Sequence, residues 1–397
     1  MNIFSPKNTG VAGNLWKMVL MYSTNKRTYI SFLSIFLLLM PDTTAQTVGF
    51  ITALGSFCGF IFEVPSGYFS DKMGHKNALI LAKVSLFVST LCYVLASSIT
   101  YFIVGAVFFA LGLAMLSGTS STFLKESLDH LGRGDEYSKI SGKIRSVGFM
   151  IPIIFIILLP ILAEQSYRLA FFIALVIDSI GLITALFLTA VPKKEIIKEF
   201  NLIKADSVLK QYFKIGWLPY VIFIELIYVF HFVGNAGFKN PFQEEIGFSV
   251  SMLGILWASS RFFISGLLLL SGWLKKNLTF KKLIIIQGLG YTLSFFGAVF
   301  FQNKWLVAAS IVFGTVIAWG LSSVKSHFYL DYIGDSKYKA SFLSINTFFQ
   351  RVLSTFGSLL MGYLVLHYGY RFGFSFFGIA ILLTVILAFF ILKRKRN

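Results

Sequence analysis

Twelve apolar stretches, each long enough to cross a lipid bilayer, follow one another along this chain with mostly short polar segments between them. A membrane-spanning helix needs about 20 consecutive apolar residues. Hydropathy therefore predicts an all-α membrane protein of twelve transmembrane helices. We expect the spans at roughly 17–40, 47–70, 78–98, 101–125, 140–163, 168–191, 215–236, 250–273, 282–301, 304–328, 339–365 and 369–393.

The charges of the chain lie where a membrane protein needs them. Only 13% of the residues are charged and 56% are hydrophobic, which excludes an ordinary soluble globular protein. The net charge of +18 comes from Lys and Arg in alternate loops and in the tail 393–396. This alternation follows the positive-inside rule and predicts a multi-pass protein of the cytoplasmic membrane with both termini in the cytoplasm. It argues against nucleic-acid binding, although the net charge is high.

One long polar connection divides the spans into two groups of six. It runs over 192–214 and reads as a cytoplasmic linker between bundles at 1–191 and 215–397, the second with a basic tail. An amphipathic helix on the inner leaflet is compatible with the same segment. A short repeat supports the division, because Ser120-Ser121 and the segment 128–132 recur 202 residues later, at Ser322-Ser323 and 330–334.

A polar turn after the second span carries the most specific motif. Gly67, Asp71, Lys72, Gly74 and Lys76 follow the spacing Gly-x-x-x-Asp-(Arg/Lys)-x-Gly-(Arg/Lys)-(Arg/Lys), with a histidine in place of the first closing cation. Physically, we expect Gly67 to allow a close helix approach, Gly74 to form a tight turn, and Asp71 to pair with a cation or cap a helix.

This turn resembles the loop between helices two and three of the major facilitator superfamily of secondary transporters. The resemblance implies two six-helix bundles around a central cavity, alternating access, and a gating role for the turn. The lead-in 63–67, Glu-Val-Pro-Ser-Gly, is similar to that of bacterial members that are mostly exporters. Two departures argue against the usual drug–proton antiporters: Phe108 stands where they carry Arg, and 148–152 lacks the second Gly of their Gly-x-x-x-Gly-Pro motif.

Ionisable residues deep in a span are functional candidates, because charge inside a bilayer is costly. We expect Glu63, Asp178 and Glu225 as candidates for proton coupling and Arg27, Arg261 and Arg351 as candidates for solute contact. The alternative is that they pair internally, for instance Asp178 or Glu225 with an Arg. We expect Lys83 and Lys325 to extend to water from near their span ends. Because Lys26 and Arg27 cannot share one helix face, one faces a neighbouring helix or the helix is broken there.

No motif for an enzyme, a nucleotide, a cofactor or a metal is found in the sequence. The function we expect is proton-coupled export of a small organic solute by a monomeric transporter in the lipid bilayer. Import or facilitated passage of an anionic metabolite remains open, because the intramembrane cations outnumber the carboxylates. A non-transporting sensor or scaffold and a lipid flippase also remain open.

Overall fold

Helices form almost all of the described chain in the computed structural model, which covers residues 9–192, 218–333 and 339–394. No strand occurs among these residues. The helices are α1 Asn14–Thr24, α2 Leu33–Leu38, α3 Ala45–Met73, α4 His75–Val94, α5 Ile99–Leu116, α6 Thr119–His130, α7 Tyr137–Gln165, α8 Tyr167–Leu186, α9 Leu218–Asn235, α10 Lys239–Glu245, α11 Val250–Leu269, α12 Ser271–Asn277, α13 Phe280–Phe300, α14 Lys304–Gly320, α15 Ser322–Ile333, α16 Lys339–Tyr368 and α17 Tyr370–Arg394.

These helices give twelve crossings within the described residues, as the sequence predicts. Eleven stretches are long and apolar enough to span a membrane as continuous or nearly continuous helices. The remaining crossing is the first one, made of α1 and α2 with a break over 25–32. The predicted linker 192–214 lies outside the described residues apart from Pro192.

Four crossings are interrupted at matching places in the two halves of the sequence. The first is broken before α2, and the seventh is broken between α9 and α10, where Gly237 has a φ of +88°. The fourth is broken between α5 and α6 at Gly118, with a φ of +74°, and the tenth is broken between α14 and α15. Both α6 and α15 have 12 residues, and the repeated Ser-Ser pairs lie in their first turns. The 202-residue repeat therefore corresponds to a repeated local structure.

The chain divides into two compact units that do not follow the sequence halves throughout. The first unit contains Met1–Thr43, Leu54–Ile196 and Ser249–Ile255; the second contains Thr44–Ala53, Ile197–Phe248 and Leu256–Asn397. The start of α3 therefore belongs with the second unit, and the start of α11 belongs with the first.

Two glycines explain how these helix starts pack. In the second unit, a Cβ on Gly49 of α3 would lie 2.6 Å from the carbonyl oxygen of Ser358 and 2.9 Å from Cα of Gly362, both in α16. In the first unit, a Cβ on Gly254 of α11 would lie 2.7 Å from the carbonyl oxygen of Ile156 in α7. At both places helix backbones touch directly, as small residues allow in membrane proteins.

Inside the first unit, α1 packs on α7 and α8, and α4 packs on α5 and α8. A cluster of buried apolar side chains joins α1, α6, α7 and the end of α8, and Leu15, Phe123 and Leu124 are among its members. The amide of Asn14, at the start of α1, makes two 2.9 Å hydrogen bonds with the backbone of Thr189. These contacts fix the position of α1 before its break.

Inside the second unit, α13 packs on α14 and α17, and α9 packs on α16 and α17. Part of the core of this unit is a cluster of aromatic side chains around His231, Tyr291 and Phe295. His231 is buried and its ring stacks on Tyr291 with 4.0 Å between centroids, so this histidine packs within the core of the unit.

Candidate transport site

The break in the first crossing positions a buried ion pair in the first unit. Arg27 lies between α1 and α2, where the backbone leaves the helix, and its Nη1 donates to Oδ2 of Asp178 in α8 at 2.7 Å. The hydroxyl of Thr90 donates to the same oxygen at 2.6 Å, and Tyr29 lies 3.4 Å from the guanidinium. The sequence left internal pairing and a helix break open for these residues, and both are found.

Part of the Arg27 guanidinium remains without a hydrogen bond. Its Nε and Nη2 atoms are buried and have no partner among the described residues. A buried charged donor without an acceptor is costly, so water or a solute group is the expected occupant of this space.

Lys83 of α4 is a second buried cation in the same unit. It is fully buried, and its Nζ donates to the hydroxyl of Thr24 at 2.6 Å and to the carbonyl of Met21 at 3.3 Å. A Cβ on Gly181, about one turn of helix from Asp178, would lie 2.7 Å from this nitrogen. The expectation that Lys83 extends to water was therefore wrong, because α1 and α8 cover the whole side chain.

Glu225 of α9 is the centre of a polar network in the second unit. Its carboxylate is buried and accepts from Nζ of Lys325 at 3.2 Å. Tyr329 and the amide of Gln350 also donate to it. The ammonium of Lys325 lies 4.3 Å from the ring centroid of Tyr228. Internal pairing of Glu225 was one of the alternatives, with an Arg as the example; the partner found is Lys325, which does not extend to water because α15 turns it inward.

Glu63, in contrast, is only half-buried. Its Oε1 accepts from the hydroxyl of Ser117 at 3.2 Å, beside the break between α5 and α6. The residue therefore connects α3 with the broken fourth crossing of the same unit. Its neighbour in the motif, Gly67, does not provide the close helix approach expected, because a Cβ there would meet nothing within 4 Å.

The turn after α3 has the predicted tight geometry, with a φ of +85° at Gly74. Asp71 and Lys72 are exposed on the last turn of α3, and Lys76 lies half-buried in the first turn of α4. Lys72 extends over the ring of Tyr68, with 5.9 Å between Nζ and the centroid.

The histidine that departs from the family motif anchors this turn. Its Nδ1 lies 2.8 Å from the hydroxyl of Ser70, and its Nε2 lies 3.2 Å from a carboxylate oxygen of Glu126 in α6. Ser70 in turn accepts from Thr119 at 2.9 Å. His75 therefore ties the turn to the second part of the fourth crossing.

Arg261 and Arg351 are both half-buried in the second unit. The Nε of Arg261 is buried without a hydrogen-bond partner among the described residues. The side chain of Arg351 has no ion pair with a carboxylate in the described part of the chain. The positive charges of Arg261 and Arg351 are therefore not neutralised by a carboxylate in the described part of the chain.

Sequence reasoning missed Lys239, which lies after the predicted end of the seventh span. The break after Asn235 turns α10 so that Lys239 is 7% exposed and its Nζ lies 3.7 Å from the ring centroid of Trp257. The indole Nε1 of Trp257 donates to Asn240 at 3.2 Å. The glycine at 237 is the one sequence signal that indicated a break.

No group of three or more metal-ligating side chains occurs in the described residues. Instead, ionisable side chains are buried in both units, in and beside broken membrane helices. Broken helices that carry charged groups at mid-membrane are typical of secondary transporters.

The sequence itself places the chain in that class. It matches the Major Facilitator Superfamily over residues 15–329, and the chain belongs to this family. It is a transporter and not an enzyme, and its fold is the two-bundle fold that the motif at Gly67–Lys76 implied. A comparison with curated protein sequences finds no match.

Solved transporter structures share the fold over nearly the whole chain. The nucleoside transporter NupG aligns with a TM-score of 0.79 at 12% identity, over 97% of this chain and 100% of that one. A POT family transporter in complex with 5-aminolevulinic acid aligns with a TM-score of 0.73 at 11% identity, over 94% of each chain. The inward-open xylose transporter XylE from E. coli aligns with a TM-score of 0.67 at 15% identity, over 94% and 93%.

Proposed function

We propose that this transporter exports a small organic solute across the cytoplasmic membrane in exchange for protons, as a monomer with both termini in the cytoplasm. The observation that carries the proposal is the buried pairing of Asp178 with Arg27 and of Glu225 with Lys325. In each pair, the carboxylate can release its cation when it takes up a proton.

Glu63 is the carboxylate we assign to proton entry. It is half-buried and accepts a hydrogen bond from a hydroxyl, whereas Asp178 and Glu225 are each held by a cation. A proton can therefore reach Glu63 without first breaking an ion pair. The ion pairs of Asp178 and Glu225 would then open within their own units. In this proposal the solute displaces Arg27 from Asp178 or Lys325 from Glu225.

The export direction is supported by the sequence of the lead-in 63–67 and by the family resemblance it carries. The basic loops support the orientation, because they would keep the turn 67–76 and the tail on the cytoplasmic side. In this proposal the turn restrains the fourth crossing through the contact of His75 with Glu126 and is released as the transporter changes state.

A second candidate is import of an anionic metabolite. Arg261 and Arg351, which have no carboxylate partner in the described residues, support it because uncompensated cations near a solute path favour anions. The transporters XylE and NupG supply analogy of fold alone.

The test begins with a susceptibility and metabolite screen of an overexpressing strain against a strain expressing Glu63→Gln. A solute that distinguishes the two is then measured in right-side-out and inverted vesicles under imposed pH gradients. We expect proton-driven uptake into inverted vesicles, its loss in Glu63→Gln, and normal flux in the exposed control Asp135→Asn.

Three outcomes would contradict the proposal in different ways. Proton-driven uptake into right-side-out vesicles would support import instead. A solute flux that does not depend on the pH gradient would show that transport is not coupled to protons. If Glu63→Gln and Asp71→Asn both leave every solute flux unchanged, the chain is a non-transporting sensor or scaffold.

A further inference from the structure

In the second unit, α15 supplies most of the side chains that hold the buried carboxylate of Glu225. Lys325 and Tyr329 lie four residues apart on this 12-residue helix, and both donate to Glu225 in α9. The amide of Gln350 in α16 is a third donor. The hydrogen bonds of Glu225 therefore depend on where α15 lies.

A different pair of α15 residues is held by one lysine of α12. Nζ of Lys275 lies 2.5 Å from Oδ2 of Asp331 and 3.6 Å from the ring centroid of Phe328, three residues earlier on α15. Phe328 is buried, and the side chain of Lys275 is only 25% exposed. An ammonium between a carboxylate and an aromatic face has a defined position, unlike a lysine that extends freely into water. Lys275 therefore attaches α12 to α15 at two points.

The contacts of Phe328 lead back to Glu225. Its ring stacks on Phe280 of α13, with 5.2 Å between centroids and an interplanar angle of 8°. The ring of Tyr329 packs edge-on against the same Phe280 at 5.8 Å. Because packed aromatic rings have few rotamers, a displacement of Phe328 would also move Tyr329, both along the helix and through Phe280. The hydroxyl of Tyr329 is the group that meets Glu225.

The next lysine of α12 does not share this arrangement. Lys276 is exposed and makes no ion pair or ring contact with the residues that the structure describes. Adjacent residues on a helix point about 100° apart, so only one of the two lysines can face α15. Lys276 is therefore a matched control for Lys275.

We infer that Lys275 and Asp331 are positioning residues for Glu225. Their ion pair, together with the contact on Phe328, keeps α15 where its two donors reach the carboxylate. If the attachment opens, α15 can withdraw, and a carboxyl without its cation takes up a proton more readily. The inference rests on the proposed function in one respect, namely that protonation of Glu225 belongs to the transport cycle.

Labelling with dicyclohexylcarbodiimide tests this role without a known solute. The reagent adds to protonated carboxyls in apolar surroundings and leaves an N-acylurea, which mass spectrometry of the purified full-length protein in detergent detects on the peptide that contains Glu225. Lys275→Gln should speed the labelling of Glu225 by about fivefold, because it removes both a cation–π contact and an ion pair. Asp331→Asn should speed it by about twofold, because the contact of Lys275 with Phe328 remains.

Further variants separate positioning from a general loosening of the protein. Lys275→Arg should label like wild type, since a guanidinium can both pair with a carboxylate and stack on a ring. Lys276→Gln removes the same charge from the adjacent exposed position and should leave the rate unchanged. Lys325→Gln removes the cation itself and should label fastest. Glu63, in the first unit, is the internal reference, and its labelling should be the same in all of these proteins.

Three results would each overturn the inference: labelling of Glu225 at the wild-type rate in Lys275→Gln, equal acceleration in Lys275→Arg and Lys275→Gln, or equal acceleration of Glu63 and Glu225. The labelling does not measure transport. An unchanged rate would leave proton-driven export open, and absence of flux in vesicles would leave the positioning role of Lys275 standing.

Discussion

Arg27 Nη1 and Asp178 Oδ2 lie 2.7 Å apart, with side-chain exposures of 6% and 4%. The pair connects the break in the first crossing to the middle of the sixth. The buried Lys83 approaches the same region from α4, so one carboxylate serves two cations. This arrangement holds the broken segment in place, and the single negative charge of Asp178 balances only part of the positive charge of Arg27 and Lys83.

Removing both partners of this pair should destabilise the protein by less than the sum of the two single removals. We expect Arg27→Gln and Asp178→Asn each to cost about 3–5 kcal/mol, because the remaining charge stays buried, and the double variant to cost less than the sum. Thermal unfolding in detergent measures the three variants as a double-mutant cycle. The exposed pair Lys125–Asp129 is the control, and Lys125→Gln should cost at most about 1 kcal/mol. Strictly additive effects at Arg27 and Asp178 would contradict the pairing.

His75→Ala should loosen the turn between α3 and α4. The substitution removes the contacts with Ser70 and Glu126, and we expect trypsin to cleave at Lys72 or Lys76 several-fold faster than in wild type. His75→Arg restores the family residue and can still pair with Glu126, so its cleavage rate should stay near that of wild type. Equal cleavage of all three proteins would show that the histidine does not hold the turn.

Two glycines of α3 should respond oppositely to alanine. A methyl group at Gly49 would meet the backbone of α16, whereas one at Gly55 would meet nothing within 4 Å. Gly49→Ala should lower the free energy of unfolding in detergent by roughly 1–3 kcal/mol. Gly55→Ala should be neutral or stabilise by up to about 1 kcal/mol, since alanine is the better helix residue. A neutral Gly49→Ala would contradict the backbone contact.

The fold could be predicted from the sequence because spans are read from long apolar runs, which the bilayer imposes irrespective of packing. The start of the fifth span and the ends of the second and tenth differ from the structure by a few residues, since hydropathy does not detect helical segments that extend beyond the apolar run. The turn at Gly74 was also predictable, because its positive φ strongly favours glycine.

The partners of the buried charges could not be predicted in the same way. Lys83 and Lys325 were expected to reach water because depth was counted along the sequence, whereas burial depends on which helix face a neighbour covers. Lys239 was missed because it lies just beyond the predicted end of the seventh span, where the break after Asn235 starts a separate helix, α10. Such breaks depend on tertiary packing, and Gly237 alone is a weak signal for one.

Gly49 and Gly362 each lie where a side chain on either would meet the main chain of the opposite helix. The closeness of α3 and α16 at this point therefore depends on the absence of two side chains, and any residue larger than glycine would force the two main chains apart.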